Sequence, residues 1–380
     1  MKLLYPLLIT LAAWLFLPGA AMAEPDDVAS ETPRLRSKKK SQERDVRKAA
    51  SRKKKELRDM GVRNVRVKTP GDWPRCISVP EDTVLKEASM PAGKAGVVYE
   101  SNHFFYISPT RLDASAQKTL SRLCECAYAA NRAIGEVLPV PRATAERGDK
   151  KFLVVLQPTM EAYLNAGGPE GSAGVFMGSR LDKPGPITEA DIVMDQVMIP
   201  FGSLGLNTSG AVQREDIDTH ALVHELTHQQ FMLNGLPIWA NEGWAEYVGY
   251  VPYVGEELDF DRGFSLILHT AKSRASSGAL DFDFSLADFL TMEQETMYGY
   301  MKQQKDTYTL SVMTVAFFVH LDGKRGIDAM RAYLQALLDG KSAGEAAEVL
   351  IEPYHSPQRL QQAFVRAWKG KKVKVSFPRK

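Results

Sequence analysis

His224, Glu225 and His228 stand in the order His-Glu-x-x-His, and a further carboxylate, Glu242, follows in Trp239-Ala240-Asn241-Glu242-Gly243-Trp244-Ala245-Glu246-Tyr247. Residues four apart on an α-helix lie one turn apart on the same face, so the two imidazoles can converge on one divalent cation. A carboxylate beside the first of them sits at the edge of that face, within reach of a metal-bound water. The chemistry implied is hydrolysis by a zinc-activated water. With 7 His in 380 residues, chance produces this motif in roughly one chain of such composition per hundred. The bland alternative is three polar residues on a surface helix, with Glu242 a solvated carboxylate at a helix start.

A catalytic zinc takes three protein ligands and keeps one position open for water. His224, His228 and Glu242 meet that requirement, and Glu225 is the candidate general base. To bring them together, the sequence predicts a helix from about Val212 to Leu233, stopped by Asn234-Gly235 with Pro237 beyond. It predicts a second helix from Asn241, a good N-cap residue, with Glu242 in its first turn, where a carboxylate also suits the helix dipole. Glu246 lies one turn after Glu242. It can fix the tautomer of a ligand histidine or be an ordinary surface residue. His220 stands one turn before His224; as a fourth ligand it would close the site, but its extra turn is expected to carry it past the metal. His103, His269, His320 and His355 have no partner at a readable spacing.

His-Glu-x-x-His followed by Asn-Glu-Gly-x-Ala-Glu-Tyr resembles the gluzincin metallopeptidases. The likeness is nearest to the small peptidase-MA-like domains and more distant to aminopeptidase N and thermolysin. It extends from Val97 to about Trp368, with its specific part at Thr219 to Tyr250. The resemblance implies Glu242 as third zinc ligand and a tyrosine at the start of a later helix to steady the oxyanion. Tyr308 in Tyr308-Thr309-Leu310-Ser311-Val312 corresponds, with Tyr298 and Tyr300 nearby. It also implies an edge strand beside the zinc that holds substrate backbone, here either 173–177 or 192–199. The thirteen-residue interval between the last histidine of the motif and the start of the Asn-Glu-Gly segment is shorter than in those two enzymes.

The amino-terminal residues 1–23 read as a secretion signal: Lys2, an apolar run from Leu3 to Leu17, and Ala21-Met22-Ala23 as the cleavage pattern. The run is short for a membrane span, so a secreted or periplasmic chain is expected, with no span after cleavage. Residues 24–70 form a basic arm. Between Glu31 and Pro70 the net charge is +11, whereas the whole chain carries +2, so an acidic body balances it. Such a segment lacks the apolar residues for a core. It is a solvated spacer, a propeptide, or, through residues 34–68, a contact to an anionic envelope surface; nucleic acid is not expected. The cysteines Cys76, Cys124 and Cys126 permit one intrachain bond at most, with the partner of Cys76 undetermined.

The remaining pattern predicts one strand from Val97-Val98-Tyr99 through Phe104-Phe105-Tyr106-Ile107, further strands at 152–156, 173–177 and 192–199, and helices at 113–137 and 158–164. Further helices are expected at 264–274, 308–321, 326–338, 343–350 and 357–368, with 71–94 irregular. This is an α+β chain, gluzincin-like by resemblance. Residues 71–380 form one catalytic domain in which a small mixed-sheet lobe (71–210) precedes a mainly helical lobe (211–380), with the zinc between them. The expected function is an exported zinc peptidase acting on a peptide or protein substrate. Two other readings remain: a non-catalytic zinc-containing scaffold of the cell envelope, and a zinc amidase acting on cell-wall material.

Overall fold

A computed structural model describes residues 73–88, 96–139, 151–178, 195–213, 219–231, 236–275, 278–302 and 306–378. The signal sequence, the basic arm and the Asn234-Gly235 stop lie outside them. The chain is mixed α+β, with a sheet lobe and a helical lobe. In chain order the sheet lobe comprises β1 (Cys76–Ser78), β2 (Lys86–Ala88), β3 (Val97–Glu100), β4 (Phe104–Ser108), α1 (Ala114–Val137), β5 (Phe152–Gln157), α2 (Met160–Asn165), β6 (Val175–Met177) and β7 (Gln196–Pro200). The helical lobe continues with α3 (His220–Phe231), α4 (Ile238–Gly249), β8 (Tyr253–Val254), β9 (Glu257–Asp259), α5 (Phe260–Arg274), β10 (Leu280–Asp281), α6 (Leu286–Leu290), α7 (Gln294–Lys302) and α8 (Thr307–Ala316). It ends with α9 (Gly323–Leu338), α10 (Ala343–Ile351), α11 (Pro357–Gly370) and β11 (Val375–Ser376).

Six strands make one sheet in the order β2-β3-β4-β5-β7-β6. The centre, β4-β5-β7, is parallel, and β2-β3-β4 and β6-β7 are antiparallel. Alternation on β4 puts Phe104 and Tyr106 in the core and leaves Phe105 exposed. The crossover from β4 to β5 runs through α1. Its start is fixed by Asp113, whose side chain accepts from the Ala116 amide at 2.7 Å. Of the two segments expected as the edge strand, β6 is the edge and β7 lies inside the sheet.

Three sequence expectations are corrected. The first concerns the helix of the His-Glu-x-x-His motif, which begins at His220 rather than Val212. Val212 is held in a bridge to Leu206, and its amide is directed to Asp113 Oδ2 at 3.3 Å. Second, the next helix begins at Ile238 behind Pro237, so Asn241 is not its cap and Glu242 is not in its first turn. Third, the stretch taken as irregular contains β1, which pairs with β9 of the helical lobe, and β2, which extends the main sheet. The three cysteines form no disulfide. Burial raises all three thiols, Cys76 to about 11 and Cys126 to about 12.

Two contacts set the position of α4. Gly243 faces α8 so closely that an added Cβ would lie 2.8 Å from the Ser311 carbonyl and 3.0 Å from Val315. On the far side, Trp73 Nε1 donates to the Tyr247 hydroxyl at 2.8 Å, and that hydroxyl then donates to His320 Nε2, also at 2.8 Å. His320 closes the π-helical turn Phe317–Leu321 that follows α8. Burial lowers its pKa from 6.5 to about 4.

Two expected outcomes follow from these contacts. Gly243→Ala should cost about 1–3 kcal/mol, the usual range for overpacking a tight core, read as a drop in denaturant midpoint. Because unfolded His320 takes up a proton near pH 6.5 and the folded ring resists until about 4, its contribution is intact above pH 6.5. It is lost as pH falls through that window, by about 3 kcal/mol in all. Melting curves of wild type and His320→Asn between pH 7.5 and 4.5 should converge as pH falls; parallel curves would refute the assignment.

Candidate metal centre

All eleven α3 residues from Ala221 to Phe231 are buried, and the two glutamines among them tie the helix to its neighbours. Gln229 donates to the carbonyls of Leu153 and Asp195 at 2.9 and 3.1 Å, which ties the helix to β5 and the residue before β7. Gln230 accepts from Asn131 of α1 at 3.0 Å. These anchors fix the roll of α3, and the remaining polar face, His224 and His228, turns toward Glu242 of α4.

His224, His228 and Glu242 are 2%, 4% and 0% exposed. The two Nε2 atoms lie 3.0 Å apart, and each is 3.5 Å from Glu242 Oε2. Tetrahedral coordination with bonds of about 2.0–2.1 Å separates neighbouring donor atoms by about 3.3 Å, so this spacing fits a single ion. Both oxygens of Glu242 are buried and make no hydrogen bond. A carboxylate so placed needs a positive partner. Among the described residues this is the group of three that can hold a metal ion.

The backs of both imidazoles are held. His228 Nδ1 lies 3.2 Å from Asn241 Oδ1. His224 Nδ1 lies 3.2 Å from Glu246 Oε1. Glu246 Oε2 in turn lies 3.3 Å from His220 Nε2, so His220 faces Glu246 and stands outside the group of three. Sequence reasoning missed two of these roles. Asn241 was read as a helix cap, yet its side chain is one helical position from Glu242 and available to the second histidine. His220 was weighed only as a ligand.

Burial alone would push the Glu242 carboxyl up, but His228 and His224 outweigh it and hold it at about 2. Burial likewise opposes ionisation of Glu246, and His220 and His224 hold it far below the usual carboxylate range. For His224, burial is outweighed by Glu242 and Glu246, so its pKa is raised. Glu225 differs: burial raises its carboxyl more than His224 and His228 lower it. Its Oε2 accepts from the Phe176 amide of edge strand β6 at 2.7 Å.

Tyr308 stands in the first turn of α8, with Glu242, Glu246 and Glu225 all within electrostatic reach of its hydroxyl. Burial, then Glu242, raises its pKa well above the usual tyrosine value, so it stays protonated as a donor. Tyr298 of α7 also senses Glu242 and Glu225. Tyr300 packs against Phe284 instead, with ring centroids 4.7 Å apart. The histidines without readable partners divide: His103 meets Glu125 at 2.6 Å and His320 meets Tyr247, while His269 and His355 are exposed.

No family model, no curated protein and no solved structure matches this chain. What the centre can do therefore rests on its own geometry. No helix among the described residues is long and apolar enough to cross a membrane.

Removing any one donor should empty the site. His224→Ala, His228→Ala and Glu242→Ala should each fall from about one bound zinc to near none after dialysis, by elemental analysis. Zinc at 100 times its dissociation constant should stabilise the wild type by about 2.7 kcal/mol and leave these variants unmoved.

Proposed function

We propose that this chain is an exported zinc-dependent peptidase that cleaves peptide bonds with a metal-activated water. Zinc held by His224, His228 and Glu242 would supply Lewis-acid polarisation of a carbonyl and would lower the pKa of a bound water to about 7. The observation that carries the reading is Glu225. A structural site needs no extra carboxylate, yet one stands beside the donor group, is not itself a donor, and is aimed by a backbone amide. With Oε2 on the Phe176 amide, Oε1 is the oxygen that takes a proton from water and delivers it to the leaving amine. Its raised pKa suits that traffic, because a base that must also release its proton works best when not too weak.

Tyr308 donates its hydroxyl hydrogen to the developing oxyanion. Edge strand β6 receives the substrate backbone as an added strand. The basic arm, through residues 34–68, holds the enzyme at an anionic envelope surface after the signal is cut behind Ala23.

Glu225→Gln keeps the shape and removes the base. Hydrolysis of a mixed peptide pool should fall about 10²–10⁴-fold with zinc content unchanged, and chelation should abolish it in the wild type. Normal rates in Glu225→Gln would end the proposal. Tyr308→Phe should lower kcat about 10²-fold with little change in KM.

A further inference from the structure

His220 is a largely enclosed imidazole that the chemistry above leaves unused. It sits one turn before His224 on α3, and its side chain is 12% exposed. Three neighbours build its place. Its Nε2 lies 3.3 Å from Glu246 Oε2. The ring of Tyr250 meets it edge-on with centroids 4.7 Å apart. At Gly249, an added Cβ would lie 3.2 Å from His220 Nε2 and 3.3 Å from Cδ2, so the absence of a side chain there leaves the ring its position. Glu246 therefore has imidazole nitrogens on both oxygens: His220 on Oε2 and His224, at 3.2 Å, on Oε1.

We propose that His220 is a positioning residue for the metal centre, acting through Glu246 on His224. A carboxylate held by one imidazole can rotate about its terminal torsion, which is broad for glutamate. Held at both oxygens, it presents Oε1 to His224 Nδ1 in one orientation, and His224 Nε2 then points at the metal position. The line His220, Glu246, His224 thus places a second histidine behind the first ligand. Outer partners of this kind change metal affinity about 10–100-fold when removed. The inference rests on the reading of His224, His228 and Glu242 as zinc ligands.

The test compares His220→Phe, which fills the space without a polar atom, with His220→Gln, whose amide N–H can take the place of Nε2. Zinc release into excess chelator and the visible spectrum of the cobalt-substituted protein are the readouts, and melting of the zinc-free protein monitors the fold. Expected is about 10-fold or faster zinc loss in His220→Phe with altered cobalt bands, and restoration to within about three-fold in His220→Gln. Gly249→Ala, which crowds the same ring without altering it, should release zinc at an intermediate rate and covers the case in which His220→Phe does not fold. Equal release from wild type and His220→Phe, or equal losses in the Phe and Gln variants, would overturn the assignment of His220 alone. A wild type with no zinc affinity would overturn the metal centre itself.

Discussion

The centre of this molecule is constrained by the cost of burying a carboxylate. Glu242 is fully enclosed and makes no hydrogen bond, and two imidazole nitrogens face one of its oxygens. An ionised group in such a place is tolerated only beside compensating positive charge. Every element near it serves that requirement. α3 must hold two histidines in one roll, α4 must approach α3 closely, and neither imidazole can turn away. The glutamine anchors of α3, the glycine contact of α4 with α8, and the partners behind each histidine are consequences of that one condition.

The donor carboxylate Glu242 and the adjacent Glu225 behave oppositely because their neighbours differ. Glu242 has imidazoles against it and its carboxyl is held down, while the desolvated setting of Glu225 raises its carboxyl more than His224, His228 and the Phe176 amide lower it. Two glutamates seventeen positions apart in sequence thus have their carboxyl groups shifted in opposite directions. The difference is set by packing, not by residue type.

Much of this was legible in the sequence. The His-Glu-x-x-His spacing and the following glutamate were enough to bring three donors together, because helical periodicity is local and strong. The start of α1 near Asp113 was readable for the same reason, whereas β3 and β4 read as one extended stretch and the turn between them did not show. Less accessible were features set by distant contacts. Val212 could not be excluded from the helix until its bridge to Leu206 was seen. β1 was invisible because a three-residue strand takes its identity from a partner far along the chain. The roles of Asn241 and His220 depend on which face each helix turns inward. Propensity read Asn241 as a cap, and only the position of Pro237 displaced that reading.

β1 carries a consequence for the order of assembly. Its register joins Cys76 to Asp259, and Trp73 beside it reaches Tyr247. Such long-range closure is entropically slow and waits on everything between. During synthesis the strands from β3 to β7 can pair soon after they emerge, but the segment that follows the basic arm has nowhere to dock until β9 exists. β1 is therefore latched only once residues 257–259 have emerged, and a chain halted before them would leave that strand without its partner.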